Sequence, residues 1–448
     1  MKNTNKNKIH ILFILLSTFV ITNHAHAETE TRLYKFPVAD FPFNRYGAPS
    51  MQQSMDISLD FYYASHHLMI DSMRSGTPKI KPKYRPALIV LFDYFSIYLP
   101  GGVAWLHEEW HRSVLKRRNI DSYNGVYDLD LLSSAIPVRD VLDDELIRLK
   151  RDHPAEMVRL HSAGLESEYE MNLEIEKNSF FYNRNPGMQF ILLLNHLNNI
   201  AYMATCATPY GDKTTQEFLD AEDDDISKRD FTGLDCAAWV YDLFRPDEAY
   251  EARGKHPSGT GINRYRTLEH LTGAEKDYLR KQVGLSLINL IDPFLFNYDG
   301  FDWGNWTWNA NMRHHLTPFG YNIGLNLFLQ HGDINLLLTG NSYSNQNKTL
   351  PGLDMRLYRY PINLAGQKIY STVRLNTWFQ PQDLLFADTQ WSQGGMASLK
   401  LEVPTGWNNA EFFVEAGKKT RGWVAGHDFL NSTYNIKTGF SLVFTIDK

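Results

Sequence analysis

The sequence predicts an α+β chain: a mainly helical N-terminal region followed by an eight-stranded antiparallel β-barrel or sheet. Three observations predict it. Long runs before residue 300 lack strand alternation, the hydrophobic period changes to two after about residue 300, and eight alternating segments then follow one another between turn-forming residues.

The first 27 residues read as an export signal rather than as part of the fold. Lys2, Lys6 and Lys8 make a positive leader, "ILFILLSTFVIT" (11–22) is an apolar core too short to span a bilayer, and "AHA" (25–27) is a small-x-small cleavage site. Cleavage after Ala27 takes the net charge from −6 to −9, which argues against a basic nucleic-acid footprint. After this segment no run of 18 apolar residues remains, so no helix is expected to cross an inner membrane. Cys206 and Cys236 are the only cysteines. In an exported protein they either pair, closing a loop of about 30 residues worth roughly 3–4 kcal/mol, or stay as separate thiols.

Residues 28–300 form the expected helical domain. Helices are predicted over 85–99, 138–152, 154–178, 188–206 and 274–291, with Pro154 suited to a first helical position. The apolar helices at 85–99 and 188–206 carry Asp93, Asn195 and Asn198, which marks them as buried or membrane-surface helices rather than spans. Between the cysteines, "DAEDDDISKRD" (220–230) reads as a solvated acidic loop, because it lacks the glycine-turned spacing of a calcium loop.

Residues 301–448 form the expected β domain. Strands are predicted at 305–313, 321–329, 333–342, 353–360, 368–380, 396–403, 410–417 and 434–446. In "YNIGLNLFL" (321–329), Tyr321, Ile323, Leu325, Leu327 and Leu329 share one face, opposite mainly Gly and Asn. Either the sheet packs one face on the helices and leaves the other in water, or its apolar face meets lipid and its polar face points inward. Even strand number, lengths near ten residues and aromatics near strand ends (Trp378, Trp391, Trp407, Trp423) resemble bacterial outer-membrane barrels. The terminal "FTIDK" lacks the closing aromatic of that pattern.

The chemistry-bearing segment is "GGVAWLHEEWHRSVLKRR" (101–118), with His107, Glu108 and His111 in the spacing H-E-x-x-H. A helix brings residues i and i+4 to one face, so both imidazoles can reach one divalent ion while Glu108 takes a proton from water. The alternative is a helix with Leu106, Trp110 and Val114 inward and incidental histidines. The motif resembles that of the zincin metallopeptidases, over these residues and their helix only. That resemblance implies Zn2+, a peptide or protein substrate and a third protein ligand. Val114 and Arg117 stand where the extended motif has Gly and His, so the remaining likeness is to the gluzincins, whose third ligand is a glutamate on a later helix. "HSAGLESEYEMN" (161–172) offers Glu166 and Glu168. Glu168 lies in the apolar stripe of Met157, Leu160, Gly164 and Met171, where a carboxylate needs a partner or a metal; Glu166 lies near a second apolar edge. Gly164 permits close approach of this helix to the His107 helix. His66, His67, His153, His314 and His315 are assigned structural roles. The expected function is an exported zinc-dependent hydrolase, a metallopeptidase anchored at the outer membrane. A non-catalytic metal- or partner-binding protein, or a zinc hydrolase of lipid or cell-wall amides, are the alternatives.

Overall fold

A computed structural model describes residues 30–42, 49–75, 80–129, 136–182, 187–298, 300–407 and 409–446. The expected signal segment, 1–27, lies outside the described residues. The architecture is mixed α+β, with helices packed against a large antiparallel sheet.

The helices are α1 (Met51–Ser75), α2 (Arg85–Ser96), α3 (Val103–Lys116), α4 (Asp143–Asp152), α5 (Pro154–Tyr182), α6 (Met188–Cys206), α7 (Pro209–Ala221), α8 (Asp235–Phe244) and α9 (Gly273–Ser286). Pro154 opens α5, as its fixed φ and missing N–H allow. The helix expected from residue 138 starts at Asp143 instead, because β3 (Val138–Arg139) pairs with β2 (Tyr123–Asn124). α5 is the axis of the molecule. Its residues are buried on every side, charged ones included, between α3 and α8 on one flank and the sheet on the other. A stripe argument assumes one solvated face, and α5 has none.

Among the described residues the sheet has ten strands, not the eight expected. Eight long ones run from β5 (Trp306–Thr317) through β6 (Gly320–His331), β7 (Ile334–Ser344), β8 (Thr349–Leu364), β9 (Gln367–Pro381), β10 (Trp391–Pro404) and β11 (Ala410–Lys419) to β12 (Thr433–Ile446). The short β4 (Phe301–Trp303) adds to β5, and β1 (Glu30–Phe41), from the far end of the chain, adds to β12. The expected barrel closure is corrected as well: among the described residues the sheet is open, with β1 at one edge and β4–β5 at the other. Each edge meets the helical region. The Lys35 N–H in β1 donates to Asp60 of α1 (2.8 Å), and the His314 N–H in β5 donates to Asn289 (2.7 Å). Each contact pairs one of the backbone N–H groups that an edge strand otherwise leaves open.

The two faces of the sheet are inverted relative to a sheet packed on an apolar core. Leu325, Leu353, Leu375 and Phe440 point outward, 44–52% exposed, while their neighbours Asn326, Asp354, Asn376 and Ser441 are buried inward. The inner face meets α5 through polar contacts. Glu176 binds Arg313 and Asn311, Glu170 lies by His315, and Glu166 accepts from Trp423 Nε1 (3.2 Å) and the Gly426 N–H (2.9 Å).

Candidate metal centre

α3 exists where it does because Gly101 and Gly102 let the chain turn sharply after α2. Gly101 has φ +89°, and a Cβ on Gly102 would stand 2.1 Å from the Ser96 carbonyl oxygen. The helix then carries Trp105, Leu106, Trp110 and Val114 into the core and holds His107 and His111 together, ring centroids 5.0 Å apart. The i, i+4 expectation therefore holds in three dimensions.

Each ring is oriented from behind. His111 Nδ1 donates to the Leu160 carbonyl (2.6 Å), and His107 Nδ1 donates to Glu168 Oε1 (3.2 Å). Both Nε2 atoms are thereby left for the opposite side, where they converge on Asp235 Oδ2 at 3.0 Å and 3.3 Å. The donor atoms of His107, His111 and Asp235 all lie within 4.8 Å of one another, a spacing that a single metal ion can bridge. Two imidazole nitrogens, each ring held from behind by a further hydrogen bond, and one carboxylate make a donor set suited to a divalent transition metal.

The third member is Asp235, not either glutamate expected from α5. Glu168 stands on the Nδ1 side of His107, fixed by Asn198 (2.9 Å) and Asn199 (2.8 Å) of α6. It sets the tautomer of His107 rather than joining the Nε2 cluster. Glu166 faces away, bound to Arg159 (3.0 Å), Trp423 and Gly426, and ties α5 to the sheet. Asp235 escaped sequence reasoning because it lies more than 120 residues after His111 and belongs to no recognised spacing. A signal was nonetheless present: it is the first residue of a mainly apolar helix and is adjacent to Cys236. Cys206 and Cys236 are joined in a disulfide, which fastens the end of α6 to the start of α8. The Asp235 N–H donates to the Tyr202 hydroxyl (3.1 Å), so α6 positions the aspartate twice over.

Gly164 completes the site from α5. A Cβ there would lie 2.1 Å from His107 Nε2 and 2.5 Å from His111 Nε2, so any side chain would fill the space between the donors. Glu108 is half-buried beside the cluster. Burial pushes its carboxyl up to about 8; His107 opposes that shift, and the like charges of Asp235, Glu109 and Glu168 add to it. Asp235 is held well below the usual carboxylate range: burial alone would raise it, and the His111 and His107 imidazoles more than reverse that. Excess carboxylate around two imidazoles is an environment that a cation relieves.

A second buried group, Glu176, His196 and Asp292, has comparable spacing. There the Arg313 guanidinium binds both Glu176 and Asp292 (2.8 Å to the latter), so a cation of the protein already serves those carboxylates. The histidines assigned structural roles include His66, paired with buried Asp93 (2.5 Å), and His314, bonded to Gln282 (2.9 Å). The acidic segment 220–230 is a mostly exposed turn whose Asp223 and Asp224 carbonyls accept from Arg229. No family model, curated protein or solved structure matches this chain.

Proposed function

We propose that the protein is an exported zinc-dependent hydrolase, a metallopeptidase held in the outer membrane by its β-sheet. The convergence of His107 Nε2, His111 Nε2 and Asp235 Oδ2, in front of a glycine whose Cβ would crowd both nitrogens, carries this reading. His107, His111 and Asp235 would hold the zinc, which would supply Lewis acidity. Glu108, adjacent to His107 and rotated from it by about a hundred degrees of helix, would act as the general base towards an attacking water and return the proton to the leaving amine. Glu168 and the Leu160 carbonyl keep both imidazoles in the tautomer that presents Nε2. Tyr202, whose ring centroid is 6.2 Å from that of His107, accepts the Asp235 N–H and so keeps its own O–H proton free for a developing oxyanion. The third donor is an aspartate, a departure from the gluzincin pattern.

The membrane placement rests on the inverted sheet: apolar side chains outward, polar side chains inward against α5. Metal content of purified wild type, measured beside His107→Ala with His111→Ala, tests the site. Turnover of a peptide library by wild type and Glu108→Gln tests the chemistry. Equal zinc in wild type and double variant overturns the metal centre. Equal cleavage by wild type and Glu108→Gln overturns the role of Glu108.

A further inference from the structure

The unpaired seam of the sheet is spanned by helices. β1 packs on α1, α1 on α2, α2 on α6, α6 on the turn Leu287–Leu290, and that turn on β5, which closes a ring. The middle member, α2, is itself inverted. Its inward positions are Ile89, Asp93 and Ser96, with Asp93 bound to His66 of α1. Its outward stripe is Leu91, Tyr94 and Phe95, continued by Tyr98, at 36–61% exposure. These positions recur at helical spacing and contain no charge. On either side Leu68 of α1 (65%) and Ile291 (62%) are also exposed. The apolar outer surface of the sheet therefore continues around the seam on helices of different sequence and origin. At the N-terminal end of α2, Lys81 and Lys83 are exposed and Lys83 lies over the Tyr84 ring, 5.0 Å from its centroid. An apolar stripe ended by lysines and a tyrosine matches acyl chains bordered by anionic headgroups.

We propose that α2 is a lipid-facing element that completes the membrane belt across the seam, with Phe95 at acyl-chain depth and Lys81 and Lys83 at the headgroups. This rests on the membrane reading of the sheet. In water, the same stripe would be an exposed apolar patch beside another on the sheet. In a bilayer, the helices of the seam satisfy their own backbone hydrogen bonds, and Asp60 and Asn289 each accept one N–H from an edge strand. The inference places a lipid-facing helix directly before the metal-site helix: Gly102 packs on the last turn of α2, and His107 follows five residues later.

Single-cysteine variants in anionic phosphatidylglycerol bilayers test it, since both native cysteines are engaged in the disulfide. Phe95→Cys, Leu375→Cys, Lys81→Cys and Asp224→Cys are labelled with a fluorophore and exposed to lipids carrying a nitroxide on the acyl chain or on the headgroup. The expected result is several-fold quenching of positions 95 and 375 by the chain nitroxide, of position 81 by the headgroup nitroxide, and of position 224 by neither. Quenching at 375 without quenching at 95 overturns the role of α2 and leaves the sheet in the membrane. Absence of quenching at both 375 and 95 overturns the membrane reading itself. Stronger chain than headgroup quenching at 81 overturns the proposed depth of α2.

Discussion

Glu168 shows how one atom of difference divides two roles. It touches His107, as a ligand would be expected to, but at Nδ1, while Asp235 takes the Nε2 side. Asp235→Asn is therefore expected to lose stoichiometric zinc. Glu168→Gln is expected to keep it with affinity reduced about 10–100-fold, the usual effect of removing a carboxylate behind a ligating histidine. Competition with a chelator measures both, and complete loss in Glu168→Gln with retention in Asp235→Asn would exchange their roles. Gly164→Ala puts a methyl group into the space between the two Nε2 atoms. Zinc content should fall to background, with an overpacking cost of about 1–3 kcal/mol, and stoichiometric zinc in this variant would show that the helices can move apart. Glu108→Gln should retain the metal and lose about 10²–10⁴-fold in turnover.

At the scale of elements, the site depends on how α3, α5, α6 and α8 are fastened together. The disulfide joins α6 to α8 at the residue next to Asp235. Replacing both cysteines with serine should lower stability by about 3–4 kcal/mol through the entropy of the unfolded chain. It should also weaken zinc binding, because Asp235 loses one of its two anchors to α6. Urea melts and chelator titration read the two effects separately; an unchanged zinc affinity would leave the disulfide a purely stabilising role. The contact of α5 with the sheet is just as specific. Arg313→Met leaves Glu176 and Asp292 buried without their cation, and a loss of about 3–5 kcal/mol is expected in the same melts.

The whole molecule is a polar-lined sheet wrapped on a central helix, with its seam filled by other helices. Such a body should fractionate with outer membranes, resist extraction by carbonate, and shift in gel mobility on heating in detergent. Release without detergent contradicts it. On the outward face Leu375→Arg should cost about 2–4 kcal/mol if the position is near the bilayer midplane. A cost near zero in a lipid-reconstituted unfolding titration would place that face in water.

The sequence by itself determined what is periodic and local. Alternation located the eight long strands, because the side-chain period of a strand is written in adjacent residues. The spacing of His107 and His111 placed them on one helical face, and the glycine at 164 marked the close approach opposite them. The tertiary structure alone decided what depends on distant partners. β1 joins the sheet because its partner, β12, is some 400 residues away in the chain. The position of Asp235, rather than Glu168 or Glu166, beside the two Nε2 atoms was hidden for the same kind of reason. α5 is enclosed on all sides, so polarity along it reports contacts with α3, α6 and the sheet rather than a solvent-facing stripe. Which nitrogen of His107 faces which carboxylate is set by where α6 and α8 are brought together, and no window of sequence contains that meeting.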